Sequence, residues 1–169
     1  MRLKKGLRNL MIVLLIACNI GCDQISKTIV RNEIDYNENI TLIDRFLTLT
    51  KIENSGAFLS VGDSLPFVVR FIVLSLIPLI VLGTGLYIVL TRTSIRKPVV
   101  TGICFVLGGG IGNLYDRMLY GSVTDFLHMD FVLFKTGIFN MADVSIMIGI
   151  ATIMIFSYMD KSKKMQYQR

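Results

Sequence analysis

The chain has 169 residues, 53% of them hydrophobic and 18% charged, with a net charge of +6 and a mean hydropathy of +0.62. A soluble domain carries about 25% charged residues, so this composition argues against a water-soluble protein and for a chain solvated largely by lipid. The positive balance does not point to nucleic acid, because the basic residues form clusters beside apolar runs, with no aromatic platform among them.

Four apolar segments approach the ~20 residues that cross a bilayer: about Leu7 to Ile25, Phe67 to Leu90, Val99 to Leu114, and Ile138 to Tyr158. The first has the basic start and Leu15-Ile16-Ala17-Cys18 ending of a lipoprotein signal peptide, with a weaker match at Gly21-Cys22. Three further spans favour an uncleaved transmembrane helix instead. Cys18, Cys22 and Cys104 have neither disulfide nor zinc spacing and read as small buried hydrophobes. In the second span Pro78, Gly83 and Gly85 predict a kink, and Arg70 is placed to snorkel to the interface. The third contains Gly108-Gly109-Gly110-Ile111-Gly112, small residues that let helices approach closely, and reads as a central, tightly packed helix.

Orientation follows from charge. Arg2, Lys4, Lys5 and Arg8 precede the first span, Arg92, Arg96 and Lys97 join the second and third, and Lys161, Lys163, Lys164 and Arg169 follow the fourth. These clusters belong to the cytoplasm, with both termini. The segment of about residues 28–66 has no basic excess and belongs outside, as does the connection from Tyr115 to Gly137. Between Ile40 and Val61, β-branched and aromatic residues partly alternate, as in Phe46-Leu47-Thr48-Leu49-Thr50-Lys51-Ile52. A small surface sheet is expected there. Ser55-Gly56 marks a turn or a close backbone approach, and an extended edge beside it could hold a peptide by β-augmentation.

Two acids converge on that outer edge: Asp125, just after the third span, and Asp143, at the mouth of the fourth. Ionisable residues in membrane segments default to function. Two nearby carboxylates do not easily both ionise, so one holds a proton while the other activates water, which is what hydrolysis of an amide requires. An intramembrane aspartic peptidase is the leading reading. A proton-coupled transporter would spread its acids across the bilayer, and an inert helix bundle would tolerate asparagine at both positions. Which aspartate holds the proton is not legible in the sequence.

Other polar residues gather nearby. Asp23 and Lys27 are spaced as an i, i+4 pair; Asn113, Asp116 and Arg117 share a helix face, with Asp116 and Arg117 expected to lock elements together; Asn140, three residues before Asp143, could orient the carboxylates. His128 lacks enough neighbouring ligands for a metal and reads as an interfacial loop histidine.

The chain resembles the lipoprotein signal peptidases (signal peptidase II) from Asp23 to Ser145. The resemblance is carried by five ordered motifs: Asp23-Gln24-Ile25-Ser26-Lys27, Asn54-Ser55-Gly56-Ala57-Phe58, Gly109 to Arg117, Val123-Thr124-Asp125-Phe126, and Phe139-Asn140-Met141-Ala142-Asp143. It implies a mainly α membrane fold: four transmembrane helices, with a small extracytoplasmic β-structure between helices 1 and 2, forming one domain over residues 1–169. It implies catalytic aspartates at Asp125 and Asp143, supported by Asp23, Lys27, Asn54, Gly56, Asn113, Asp116, Arg117 and Asn140, with no metal or other cofactor. Its implied substrates are diacylglyceryl-modified prolipoproteins, cut before the lipid-bearing cysteine at the outer face of a bacterial cytoplasmic (inner) membrane. The implied partners are those signal peptides, membrane lipids and cyclic-peptide inhibitors such as globomycin. Three positions depart from the family pattern: Glu53 where a basic residue is common, Ala57 alone where two alanines are frequent, and Val144 where serine is frequent.

Overall fold

A computed structural model describes residues 5–36, 38–44, 46–57, 62–131 and 133–166, with residues 161–166 by backbone alone. Arg2, Lys4, Arg45, Phe58, Val61 and Arg169 lie outside the described residues, as do the side chains of Lys161, Lys163 and Lys164. Helix α1 spans Lys5–Glu33, strands β1 and β2 span Asn39–Ile43 and Leu47–Asn54, and the second span follows as α2 (Phe67–Phe71), a π-helical stretch (Ile72–Leu76) and α3 (Ile77–Thr91). Helix α4 (Lys97–Tyr120), strand β3 (Val123–Met129) and helix α5 (Met141–Gln166) complete the order. Four helical stretches are long and apolar enough to cross a membrane: Lys5–Glu33, Phe67–Thr91, Lys97–Tyr120 and Met141–Asp160.

Helices α1 and α4 run well past the apolar boundaries at Ile25 and Leu114. Their polar ends are helical because they bond to one another, as the site shows. The π-helical stretch ends just before Pro78, whose ring disfavours a regular turn before it and leaves a carbonyl without its i+4 donor. This is the irregularity expected of the second span. At the other end of α3, Arg8 donates to the carbonyls of Val89 (2.9 Å) and Arg92 (3.1 Å), capping the helix from α1.

Helix α4 is the centre of the bundle, with 50% of its apolar window buried against 11–17% in the other three. Small residues make this possible. A Cβ on Gly112 would lie 2.5 Å from Asp23 Oδ2, so only glycine lets α1 approach there. Gly109 makes an equally close approach to the Ala142 carbonyl at the start of α5. Below this level Ile12, Ile16, Val89, Val100, Cys104 and Leu107 form the apolar core. Cys104 is buried as expected, whereas Cys18 and Cys22 are exposed on the outside of α1. The face of α1 that meets α4 carries Ile16, Asp23 and Lys27 instead.

The β-structure is a three-stranded antiparallel sheet in the order β1-β2-β3. Its first two strands lie between helices 1 and 2 as the sequence predicts, and the third arrives from beyond α4 carrying Asp125. β2 is therefore internal, with Thr48 facing both Thr41 and His128, and Ile52 facing Asp125. Ser55 and Gly56 form a turn rather than an edge strand, because Asn54 Oδ1 accepts the Gly56 N–H at 3.0 Å. Arg70 reaches back to the segment that precedes its helix, donating to Ser55 Oγ and the Asp63 carbonyl, both at 3.3 Å.

Candidate active site

Asn140 and Asp143 start helix α5 as a reciprocal pair. The Asp143 N–H donates to Asn140 Oδ1 and the Asn140 N–H donates to Asp143 Oδ2, each at 3.1 Å. This is the capping-box arrangement, with a carboxylate in the first turn where the helix dipole favours it. The side-chain amide of Asn140 is thereby oriented so that its Nδ2 donates to Asp125 Oδ1 at 2.6 Å. One asparagine therefore touches both aspartates. Asn54, at the end of β2, supplies the other donor to Asp125, from Nδ2 to Oδ2 at 2.9 Å.

Asp143 has a second donor in Asn113 of α4, from Nδ2 to Oδ1 at 2.9 Å. Lys27 fixes the amide of Asn113. The Lys27 ammonium is fully buried; it donates to Asn113 Oδ1 and Asp23 Oδ2 and forms an ion pair with Asp116 Oδ2, each at 2.8 Å. Asp23 in turn accepts the Ala142 N–H at 2.9 Å, tying α1 to the first turn of α5.

Asp116 and Arg117 do tie elements together, but each through a partner elsewhere rather than through the other. Neighbours on a helix point about 100° apart, so each finds a different partner. Asp116 pairs with Lys27 and with Arg31, whose NH2 lies 3.0 Å from Oδ1, while Arg117 NH2 donates to the Gly56 carbonyl at 2.9 Å. Arg117 thus holds the turn after β2, which is where Gly56 enters the site.

Asp125 and Asp143 line the same small cavity, of about 50 Å³, with Asn54, Asn113, Arg117 and Asn140 around them. That is space for water beside two acids. Burial pushes the Asp125 carboxyl up to about 6, against the opposing pull of the Asn54 and Asn140 amides, and the neighbouring Asp143 adds to the rise. Among the described residues no cluster of three or more His, Cys, Asp or Glu could hold a metal ion.

A family model described as signal peptidase (SPase) II matches residues 15–159. The chain belongs to this family. Relatives named lipoprotein signal peptidase include those of Listeria monocytogenes (30% identical, covering 85% of this chain and 90% of the relative) and Brevibacillus brevis (32%, covering 89% and 96%). That of Enterococcus faecalis is 34% identical, covering 88% of each chain. Among solved structures, one of a bacterial membrane enzyme obtained by the in meso method at 2.3 Å resolution superposes with a TM-score of 0.81 at 27% identity, covering 91% of each chain. A second, at 1.9 Å resolution, gives 0.73 at 26% identity, covering 86% of this chain and 90% of that one. The protein is therefore a multi-pass bacterial membrane protein and, as a signal peptidase II family member, a protease.

The structure gathers every family-matched polar residue into one network, together with several that sequence reasoning missed. Gln24 bridges Asp23 (3.0 Å) and Asp116 (3.1 Å). Arg31 donates from Nε to Thr124 Oγ1 at 2.7 Å, and Thr124 donates to Glu53 at 2.7 Å. Glu53 also accepts from Ser122 at 2.6 Å, which gives the departure at this position a use: it clamps β2 to β3 beside Asn54 and Asp125. The spacing Asp23, Lys27, Arg31 at successive i+4 steps was the available signal for Arg31. Nothing local marks Glu53. His128 lies on β3 opposite Thr48, away from the two aspartates.

Proposed function

We propose that this protein is an aspartic endopeptidase that removes the signal peptide from diacylglyceryl-modified prolipoproteins, cutting before the lipid-bearing cysteine, with Asp125 and Asp143 as its catalytic pair. The observation that carries the reading is that both carboxylates border one water-sized cavity, each held by amide donors from different elements. Family membership supports the substrate class, and the relatives' shared name supports the lipoprotein part of it.

In this reading Asp143 is the base. It takes a proton from water, which attacks the carbonyl preceding the cysteine, while Asp125, its carboxyl raised by burial, holds the proton that polarises that carbonyl. The tetrahedral intermediate collapses by breaking the C–N bond, and the proton passes to the departing amine. Asn54, Asn113 and Asn140 hold the two carboxyls in place, and Asp23, Lys27 and Asp116 fix the helices that carry them. Arg117 shapes the Gly56 turn. The substrate's lipid and signal helix remain in the bilayer, with the cut at the extracytoplasmic edge, both termini cytoplasmic, and residues 1–169 acting as one unit. A globomycin-type cyclic peptide would inhibit by covering the mouth of this cavity and excluding substrate.

The test is cleavage by the purified protein in detergent. A diacylglyceryl-modified prolipoprotein is expected to give a product whose mass begins at the lipidated cysteine, and the unmodified precursor to remain uncut. Equal cleavage of both, or a cut elsewhere, would sink the proposal.

A further inference from the structure

The catalytic cavity does not end at Asn54. A groove of about 440 Å³ continues from it, lined by Thr48, Thr50, Ile52, His128, Thr136 and Ile138 among others, and Ile138 borders both spaces. That volume falls within the ~300–1,000 Å³ of ordinary ligand clefts. Thr48, Thr50 and Ile52 line it together despite the register shift between Leu49 and Ile52, and so lead along β2 to Asn54, whose amide bonds Asp125. Among the described residues none of α4 lines the groove, which therefore runs along the sheet away from the helix that carries Asn113 and Arg117.

We infer that this groove is the subsite for the first residues of the mature lipoprotein, the polypeptide that follows the lipid-bearing cysteine. The inference rests on the peptidase reading above. Three features select a polypeptide over a lipid headgroup. Among the described residues no Lys, Arg, Asp or Glu lines the groove, a lining that suits an uncharged chain better than a phosphate. Its hydroxyls suit an uncharged polar chain, and the His128 ring adds a further polar group to the same lining. From Ile52 to Thr48 the strand advances about 13 Å at ~3.3 Å per residue, room for about four extended residues. The signal peptide lies on the other side of the scissile bond, with the helices.

The experiment compares two diacylglyceryl-modified peptides, one with five residues after the lipidated cysteine and one ending there as the amide. The wild type is expected to prefer the longer peptide by about tenfold in kcat/KM, the worth of roughly two hydrogen bonds. Thr48→Phe, which fills the groove, and His128→Ala, which removes one of its polar walls, are expected to bring that ratio close to one. A wild-type ratio near one, or a full preference kept by both variants, overturns the subsite and leaves the peptidase standing. Failure to cut either peptide overturns the peptidase reading, and the subsite with it.

Discussion

Burial gives Asp125 a carboxyl near 6, and the sign of its consequences is fixed. Between the ordinary carboxylate value and about 6 the folded state binds a proton that the unfolded chain releases, so this group's contribution to stability falls as pH rises through that window. Catalysis follows the same proton. If Asp125 is the acid, kcat/KM, which reports the free enzyme, declines on the alkaline side with an apparent pKa of about 6, the two acids titrating as a pair. The limb in kcat lies higher, because bound substrate buries the cavity further. Both are read from cleavage rates across pH, and a kcat/KM that keeps rising well past that value would remove Asp125 from the acid role.

At the scale of elements, the site is an intersection. Asp143 comes from the start of α5, Asn113 from α4, Asp125 from β3 and Asn54 from β2; what holds them together is the buried charge cluster of Lys27 with Asp23 and Asp116. Removing one partner of a buried ion pair costs about 3–5 kcal/mol because the others are left uncompensated. Lys27→Met strands two carboxylates at the α1–α4 contact and is expected to lower the thermal unfolding temperature in detergent sharply. Asp116→Asn, which keeps its shape and leaves Asp23 to Lys27, should show a smaller drop. Unfolding of Lys27→Met at the wild-type temperature would show that the cluster does not hold the bundle. Arginine is no substitute at this position, since its planar fork cannot reproduce the compact ammonium on which Asp23, Asp116 and Asn113 converge.

Across the whole molecule, the four spans, the small sheet and the meeting of Asp125 with Asp143 at one cavity were legible, because a carboxylate beside an apolar run has few structural explanations. Asn140 was legible for a local reason: it stands three residues before Asp143, the spacing of a capping box. The partners of Asp116 and Arg117 were not, because helix-face arithmetic says which residues align along one helix and nothing about which strand or helix arrives opposite. The third strand was hidden likewise. Val123 to Met129 has no clean alternation, with Thr124-Asp125 and Phe126-Leu127 side by side, and it is a strand because β2 and Phe139 flank it, the Phe139 N–H donating to the Leu127 carbonyl at 2.9 Å. The exposure of Cys18 and Cys22 reversed an expectation for the same reason, since α1 meets α4 through its polar stripe. Topology remains a matter of charge: reporter fusions at Lys97 and after Arg169 should read as cytoplasmic and one near Glu38 as external. Any other pattern breaks the placement of the site at the outer face.

The peptidase account stands on two side chains. Asp125→Asn and Asp143→Asn preserve shape but cannot exchange a proton, so purified, folded samples of each, mixed with a diacylglyceryl-modified prolipoprotein, are expected to release no signal peptide while the wild type does. Near-native turnover by either variant would contradict the account.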